Sequence, residues 1–113
     1  MASQYKKLSD SANIYEKKFK DYGGTFIYVV KCNEYYKIGI SCTLGWRLNY
    51  LQCGNPYPLK LIDAVKLKDA KLVEKIIHEY FKDKRGLGEW FKLNDQELKK
   101  LQYLINPKTY ENL

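Results

Sequence analysis

Four residues in the first half of the chain have types and a spacing that suit chemistry on an anion. Tyr28 and Lys37 fall near the middles of two neighbouring predicted strands, and Gly39 follows Lys37 on the same strand face. A glycine inside a strand weakens that strand and often marks the close approach of a ligand or another backbone. Arg47 comes next, on the first turns of a predicted helix. Lysine and arginine bind anions, and a tyrosine hydroxyl both donates and accepts hydrogen bonds.

A carboxylate and an imidazole lie one turn apart on a later predicted helix. Glu74 and His78 share one face of this helix, and His78 is the only histidine in the sequence. These residue types carry protons or bind cations, although a single histidine makes no metal site by itself. The plainer alternatives are surface ion pairs of Glu74 with Lys71 or Lys75, and a hydrogen bond from His78 to Glu74 or to the backbone.

Each of the earlier residues also has a purely structural interpretation. Tyr28 is one of 11 tyrosines, and aromatic residues favour strands, so its ring could simply fill the core. Lys37 could be an edge-strand charge that prevents aggregation, and Arg47 could be a solvated helix residue. A later loop carries a cluster of basic residues that either is solvated or contacts backbone phosphates, namely Lys82, Lys84 and Arg85.

The composition limits the classes of protein that this chain can be. Its 113 residues suffice for one small domain and exclude a multidomain enzyme or an α/β barrel. A net charge of +7 favours a polyanionic partner such as nucleic acid. The three cysteines form no C-x-x-C pair, which disfavours a disulfide framework and a four-cysteine zinc site and fits a reducing compartment. The polar start and the absence of a long apolar run predict a cytoplasmic protein with no membrane span.

Hydrophobic periodicity predicts an α+β domain in which a three-stranded mixed or antiparallel sheet is flanked by helices. The predicted elements are a helix within 4–21, hairpin strands over 25–30 and 35–40, a helix between Ser41 and Gly54, a strand over 59–67, a helix from Asp69 to Tyr80 and a helix that begins with the capping box of Asn94 and Glu97 and ends at Pro107. Residues 89–93 are either a short strand or an extended segment. The amphipathic stretch 4–21 is expected to pack on the sheet; dimerisation and DNA contact are the alternatives.

The order of these motifs resembles the GIY-YIG nuclease superfamily. Phe26-Ile27-Tyr28 followed by Lys37-Ile38-Gly39 is similar to its paired strand motif, and Arg47 and Glu74 fall where the family places its helix arginine and metal-binding glutamate. Segments 51–59, 73–78 and 88–91 resemble a compact branch found in phages, bacteria and fungi. The resemblance covers residues 25–93 and implies a nuclease domain there. The periodicity places an N-terminal helix and linker over 1–24 before it and a C-terminal helix and tail over 94–113 after it.

The resemblance implies a metal-dependent endonuclease that hydrolyses phosphodiester bonds in DNA. Glu74 would bind one Mg²⁺ or Mn²⁺, and Lys37 and Arg47 would hold the phosphate. Tyr28 would take the proton of the attacking water, with its pKa lowered by Lys37, Arg47 and the metal. His78 would be an auxiliary catalytic group.

DNA is the expected partner, with RNA as an alternative. Because no separate sequence-reading module is visible, intrinsic specificity is expected to be low, or to come from DNA shape, a homodimer or a larger protein partner. A viral origin would place the protein in the cytoplasm of its host.

The sequence departs from the family pattern at four positions, and two rival hypotheses stand beside the nuclease. Phe26 replaces the usual first glycine, Lys37 replaces a tyrosine, and Leu51 stands where many active members have His or Tyr. Glu89 stands near the position of an amide in some members, and it either faces the active site or belongs to a packing anchor with Trp90. Lys37 and Leu51 favour a domain that binds nucleic acid but cuts slowly or not at all. The other rival is a phage-type adaptor that uses the same fold against a host protein.

Overall fold

The structure is a computed structural model that describes residues 8–110. The described part folds into four helices and one four-stranded sheet. These elements are α1 (Leu8–Lys18), β1 (Thr25–Cys32), β2 (Tyr35–Ser41), α2 (Leu44–Cys53), β3 (Lys60–Leu67), α3 (Ala70–Tyr80), β4 (Trp90–Lys92) and α4 (Asp95–Ile105), with 3₁₀ turns at Lys82–Lys84 and Pro107–Tyr110. None of these helices is long and apolar enough to cross a membrane.

The sheet has the strand order β3-β1-β2-β4, and every neighbouring pair is antiparallel. Strand β1 lies in the interior, and its run from Phe26 to Val30 is buried without interruption. A strand covered on both faces needs apolar residues at every position, which explains the continuous apolar run in the sequence.

Helices cover both faces of the sheet. Phe19, which follows α1, contacts Phe26 edge to face at 6.1 Å between ring centroids, and α2 packs beside α1. Helix α3 packs against β1 and β2, with α4 behind it. His78 of α3 contacts Phe91 at 5.0 Å between ring centroids. Because side chains alternate along a strand and paired residues share a face, Phe26 and Phe91 lie on opposite faces.

The register places the predicted strand residues on one face. Tyr28 pairs with Gly39, Val30 pairs with Lys37, and Lys37 pairs in turn with Trp90. Directly paired residues point to the same side of a sheet, so the phenol, the lysine and the indole form one row.

The structure confirms the α+β class and corrects the strand number from three to four. The fourth strand, β4, is only three residues long and pairs with Tyr35, Tyr36 and Lys37, so it is too short to show a periodic pattern in the sequence. The capping box at Asn94 is confirmed, because its side chain accepts from the Glu97 backbone at 2.8 Å and the Glu97 carboxylate accepts from the Asn94 backbone at 2.9 Å.

The predicted packing of the N-terminal helix is also observed. Leu8, Ala12 and Phe19 are buried in the common core. The described part of this helix is Leu8–Lys18, and residues 4–7 of the predicted stretch lie outside the described residues.

Gly39 is required where the ring of Tyr28 crosses β2. A Cβ atom at this position would lie 2.6 Å from the Tyr28 hydroxyl oxygen and 2.8 Å from Cζ. Because the Tyr28 ring is only 2% exposed, it has little room to move aside. Glycine therefore allows the phenol to rest directly on the neighbouring strand.

We predict that Gly39→Ala lowers the free energy of unfolding by about 1–3 kcal/mol through overpacking. The loss should shrink when Tyr28→Leu is introduced as well, because the clashing atoms are then removed. Gly23→Ala is the control, since nothing lies within 4 Å of a Cβ there. Urea denaturation of the wild type, the three single variants Gly39→Ala, Tyr28→Leu and Gly23→Ala, and the double variant measures these differences. An equal cost of Gly39→Ala with and without Tyr28 would contradict this account.

Candidate active site

The candidate site lies on the edge of β2, just beyond the end of β4. Strand β4 stops pairing at Lys37, so the backbone of Ile38 must find other partners on this edge. Its N–H donates to the carbonyl of Glu89 at 3.2 Å, and its carbonyl oxygen lies 2.9 Å from Nε2 of His78. The loop before β4 and helix α3 therefore both meet at this residue.

The hydrogen bond to Ile38 defines the state of His78. A carbonyl oxygen only accepts, so Nε2 must carry a proton and donate it. When the ring is neutral, the lone pair is then on Nδ1 and available to a metal ion or a proton. The ring also contacts Phe91, so packing and a hydrogen bond both hold its orientation.

Three side chains with metal-binding atoms come together here. One donor atom each from Glu74, His78 and Glu89 lies within 4.8 Å of the others, and all three residues are half-buried. Glu74 and His78 are brought together by their spacing of one helical turn, whereas Glu89 arrives from the loop before β4. The sequence identified Glu74 as a metal ligand on its own; the structure adds two potential ligands.

The pKa of the Glu74 carboxyl is raised by its surroundings. Burial raises the pKa of its carboxyl most, and the nearby Glu89 carboxylate raises it further. His78, Lys37 and Arg85 act in the opposite direction but do not cancel these effects. A bound cation would relieve both the burial cost and the repulsion.

Lys37 faces the cluster from β2. Its Nζ lies 3.3 Å from Oε1 of Glu89 and 5.7 Å from the centroid of the Trp90 ring. The side chain is only 15% exposed, so this pair is better shielded from solvent than an ordinary surface salt bridge. The structure thus joins Lys37 and Glu89, two positions where the sequence departs from the family pattern.

Tyr28 lies beside the cluster as a neutral phenol. Burial raises its pKa to about 12, and the Glu89 and Glu74 carboxylates also raise it, whereas Arg47 lowers it. Arg47 therefore acts in the expected direction, but the expected net lowering of this pKa by the protein's own cations is wrong, because burial outweighs it. Burial outweighs the guanidinium because the hydroxyl lies over Gly39 inside the sheet.

Arg47 reaches the site from the first turns of α2. Its Nε is buried and has no hydrogen-bond partner among residues 8–110. A buried donor without a partner is costly and uncommon. Such a group is well suited to an oxygen atom of a bound ligand.

The three basic residues of the predicted loop have different partners in the structure. Lys82 pairs with Glu79 at 3.1 Å, and Lys84 pairs with Glu97 at 3.5 Å. Arg85 donates from Nε to the Gly88 carbonyl and lies over the Phe91 ring.

Lys82 and Arg85 line a cleft of about 410 Å³ together with Glu74 and His78. Lys84 lines a different surface near Glu97. The cleft also includes Lys71 and Lys75, which the sequence suggested only as ion-pair partners. Their spacing relative to Glu74 and His78 on a helix was the signal that could have placed them here.

The raised pKa of Tyr28 predicts a specific loss of stability at high pH. The unfolded chain loses this proton near the ordinary value of 10.0, whereas the folded protein keeps it until about 12. The stabilisation is therefore complete below pH 10 and is lost as the pH rises toward 12, by about 1 kcal/mol per pH unit. Urea denaturation across this range should show a steeper decline for the wild type than for Tyr28→Phe. The exposed Tyr103→Phe should follow the wild type, and parallel curves for all three would refute the raised pKa.

Comparison with protein families identifies the group to which this fold and site belong. The comparison with curated proteins found no match, nor did the comparison with solved structures. The family model described as the T5orf172 domain matches residues 25–106, which include all four strands and the whole cluster. This family is nuclease-related, phage-associated and GIY-YIG-like. The chain is a member of the T5orf172 domain family.

Proposed function

We propose that this protein is a metal-dependent endonuclease of the GIY-YIG type that hydrolyses phosphodiester bonds in DNA. The observation that carries the proposal is the meeting of Glu74, His78 and Glu89 within 4.8 Å. Lys37 lies against this cluster, and Arg47 acts on the neighbouring Tyr28. A cation site next to fixed positive side chains is the arrangement that phosphoryl chemistry needs.

The donor set fits Mg²⁺ or Mn²⁺. Two carboxylates supply the hard oxygen atoms that both ions prefer, and the single imidazole is a ligand that Mn²⁺ accepts more readily than Mg²⁺ does. Glu74, His78 and Glu89 would hold the ion. When bound, it would neutralise charge on the phosphate and on the leaving oxygen.

The two cationic side chains would fix the scissile phosphate. The unpaired Nε of Arg47 is a preformed donor for a phosphate oxygen, which would remove the cost of leaving it without a partner. Lys37 would neutralise a second oxygen and would leave its pair with Glu89 to do so.

Tyr28 is proposed as a proton relay rather than a ready base. With a pKa of about 12 it is protonated at neutral pH, and a phenol accepts one proton while it donates another. Its proximity to the Glu89 and Glu74 carboxylates, which act on its pKa, supports this role.

A nucleic-acid-binding domain that does not cut is the second candidate, and the raised pKa of Tyr28 is the observation that favours it. This candidate predicts salt-dependent binding that does not need Glu74.

We propose DNA rather than RNA as the substrate and the cytoplasm as the location, where the free cysteines at positions 32, 42 and 53 remain reduced. A second copy of the chain or another protein would supply sequence preference.

Nicking of supercoiled plasmid tests the nuclease. With Mg²⁺ or Mn²⁺ the wild type should nick, and Glu74→Gln should reduce the rate by about a hundredfold or more because a ligand to the ion is lost. The control is Glu79→Gln on the same helix, whose carboxylate is exposed and paired with Lys82. Equal nicking by all three proteins would show contamination, and no nicking together with salt-dependent binding would support the second candidate.

Mn²⁺ titration by calorimetry tests the three-ligand site separately from activity. Glu74→Gln and Glu89→Gln should each weaken binding about tenfold or more, and Glu79→Gln should have no effect. Binding should weaken as the pH falls, because protons compete with the ion for the His78 imidazole and for the Glu74 carboxyl, whose pKa is raised. Wild-type affinity in Glu89→Gln would show that Glu89 is not a ligand.

A further inference from the structure

A second cleft opens at the hairpin end of the sheet, beside the candidate active site. Its volume is about 640 Å³, within the range of sites that bind small molecules. The lining includes the rings of Tyr35, Tyr57 and Trp90, with the 88%-exposed Leu87 at the rim, and it contains no charged residue. An aromatic cleft without charge is unusual on a chain of net charge +7.

The wall that contains Tyr57 is held rigidly. The side chain of Gln52 donates from Nε2 to the Tyr57 carbonyl at 2.9 Å and accepts at Oε1 from the Leu59 N–H at 2.8 Å. Asn55 Oδ1 accepts from the Tyr57 N–H at 2.9 Å, around Pro56. The loop is therefore formed before any ligand binds, which lowers the entropy cost of binding.

The opposite wall is also fixed by hydrogen bonds. The Gly86 N–H donates to the Trp90 carbonyl at 2.7 Å, and the Trp90 N–H donates to the Leu87 carbonyl at 3.1 Å. The indole of Trp90 is thus anchored through its backbone while its ring lines the cleft.

Trp90 connects this cleft to the active site. It is paired with Lys37 across the sheet, and the Lys37 Nζ lies 5.7 Å from its ring centroid. Trp90 also follows Glu89, one of the three potential metal ligands. A DNA strand whose phosphate is bound by Lys37 would therefore place an adjacent base near the ring of Trp90.

We propose that this cleft receives one unpaired nucleobase of the DNA strand that is cut. A nucleotide is an uncharged aromatic ring joined to an anion, and the structure offers uncharged aromatic walls joined to a lysine. Stacking on such rings requires a base that is not paired in a duplex. The preferred substrate class would then be DNA with an unpaired nucleotide beside the scissile phosphate, such as single-stranded, mismatched or branched DNA. This inference rests on the proposed function and specifies its substrate.

Fluorescence anisotropy in EDTA tests the cleft without cleavage. Labelled single-stranded oligonucleotides and fully paired duplexes of the same sequence are bound to the wild type, Tyr57→Ala and Tyr103→Ala. The last variant is a matched control, because Tyr57 and Tyr103 are both 57% exposed. Tyr57→Ala should weaken single-strand binding about tenfold and leave duplex binding unchanged, and Tyr103→Ala should change neither.

A second measurement reports directly on the indole. The chain has two tryptophans, so Trp46→Phe leaves Trp90 as the only one. Single-stranded DNA should quench its fluorescence, and an equal concentration of bound duplex should quench it much less.

The proposal is overturned if Tyr57→Ala binds both DNA forms as Tyr103→Ala does, or if it weakens both forms equally. The plasmid assay decides the nuclease independently. If the protein nicks the plasmid and Tyr57→Ala has no selective effect, the proposed nuclease activity stands and the proposed nucleobase binding in the aromatic cleft of Tyr35, Tyr57 and Trp90 is wrong. If Tyr57→Ala selectively weakens single-strand binding and the protein does not nick, nucleobase binding in this cleft stands and the proposed nuclease activity is wrong.

Discussion

The contact between Tyr28 and Gly39 is the constraint on which the site depends. Because β2 has no Cβ at this position, the phenol lies against the neighbouring strand with its hydroxyl inside the fold. The same register places Lys37 two residues before Gly39, on the same face, and opposite Trp90. Gly39 thus determines where the phenol lies. The same strand, β2, carries Lys37, which is paired with Trp90 at the aromatic cleft.

Charge balance in a half-buried setting is the second organising feature. Burial and the Glu89 carboxylate raise the pKa of Glu74, and His78, Lys37 and Arg85 do not fully offset these two effects together. Burying a charge is costly unless it is paired or binds an ion. The short β4 makes this arrangement accessible, because it leaves the Ile38 backbone free to orient His78. On the side of α2, the buried Nε of Arg47 likewise has no hydrogen-bond partner among the described residues.

Local patterns predicted much of the fold. The continuous apolar run of β1, the apolar face of α3 and the Asn94–Glu97 capping box are all read from neighbouring residues. The spacing of Glu74 and His78 follows from one helical turn. The family resemblance, rather than periodicity, suggested that Arg47 and Tyr28 belong with them, and the structure places Arg47 close enough to act on the pKa of Tyr28.

Other features depend on tertiary contacts that a sequence pattern does not contain. Burial raises the pKa of Tyr28 more than Arg47 lowers it, and burial depends on tertiary packing, so the net shift is opposite to the predicted one. The approach of Glu89 to Glu74 and His78 requires the loop before β4 to turn back onto β2. The aromatic cleft is lined by two loops, near positions 55 and 87, and no single sequence motif links them.

We propose that Glu74, His78 and Glu89 together bind one divalent ion. Anomalous diffraction from a crystal soaked in Mn²⁺ would locate this ion. We expect one strong peak in contact with all three side chains, with Nδ1 as the histidine ligand because Nε2 is bonded to Ile38. A peak bound by Glu74 without Glu89 and His78, or no peak at this edge of β2, would contradict it.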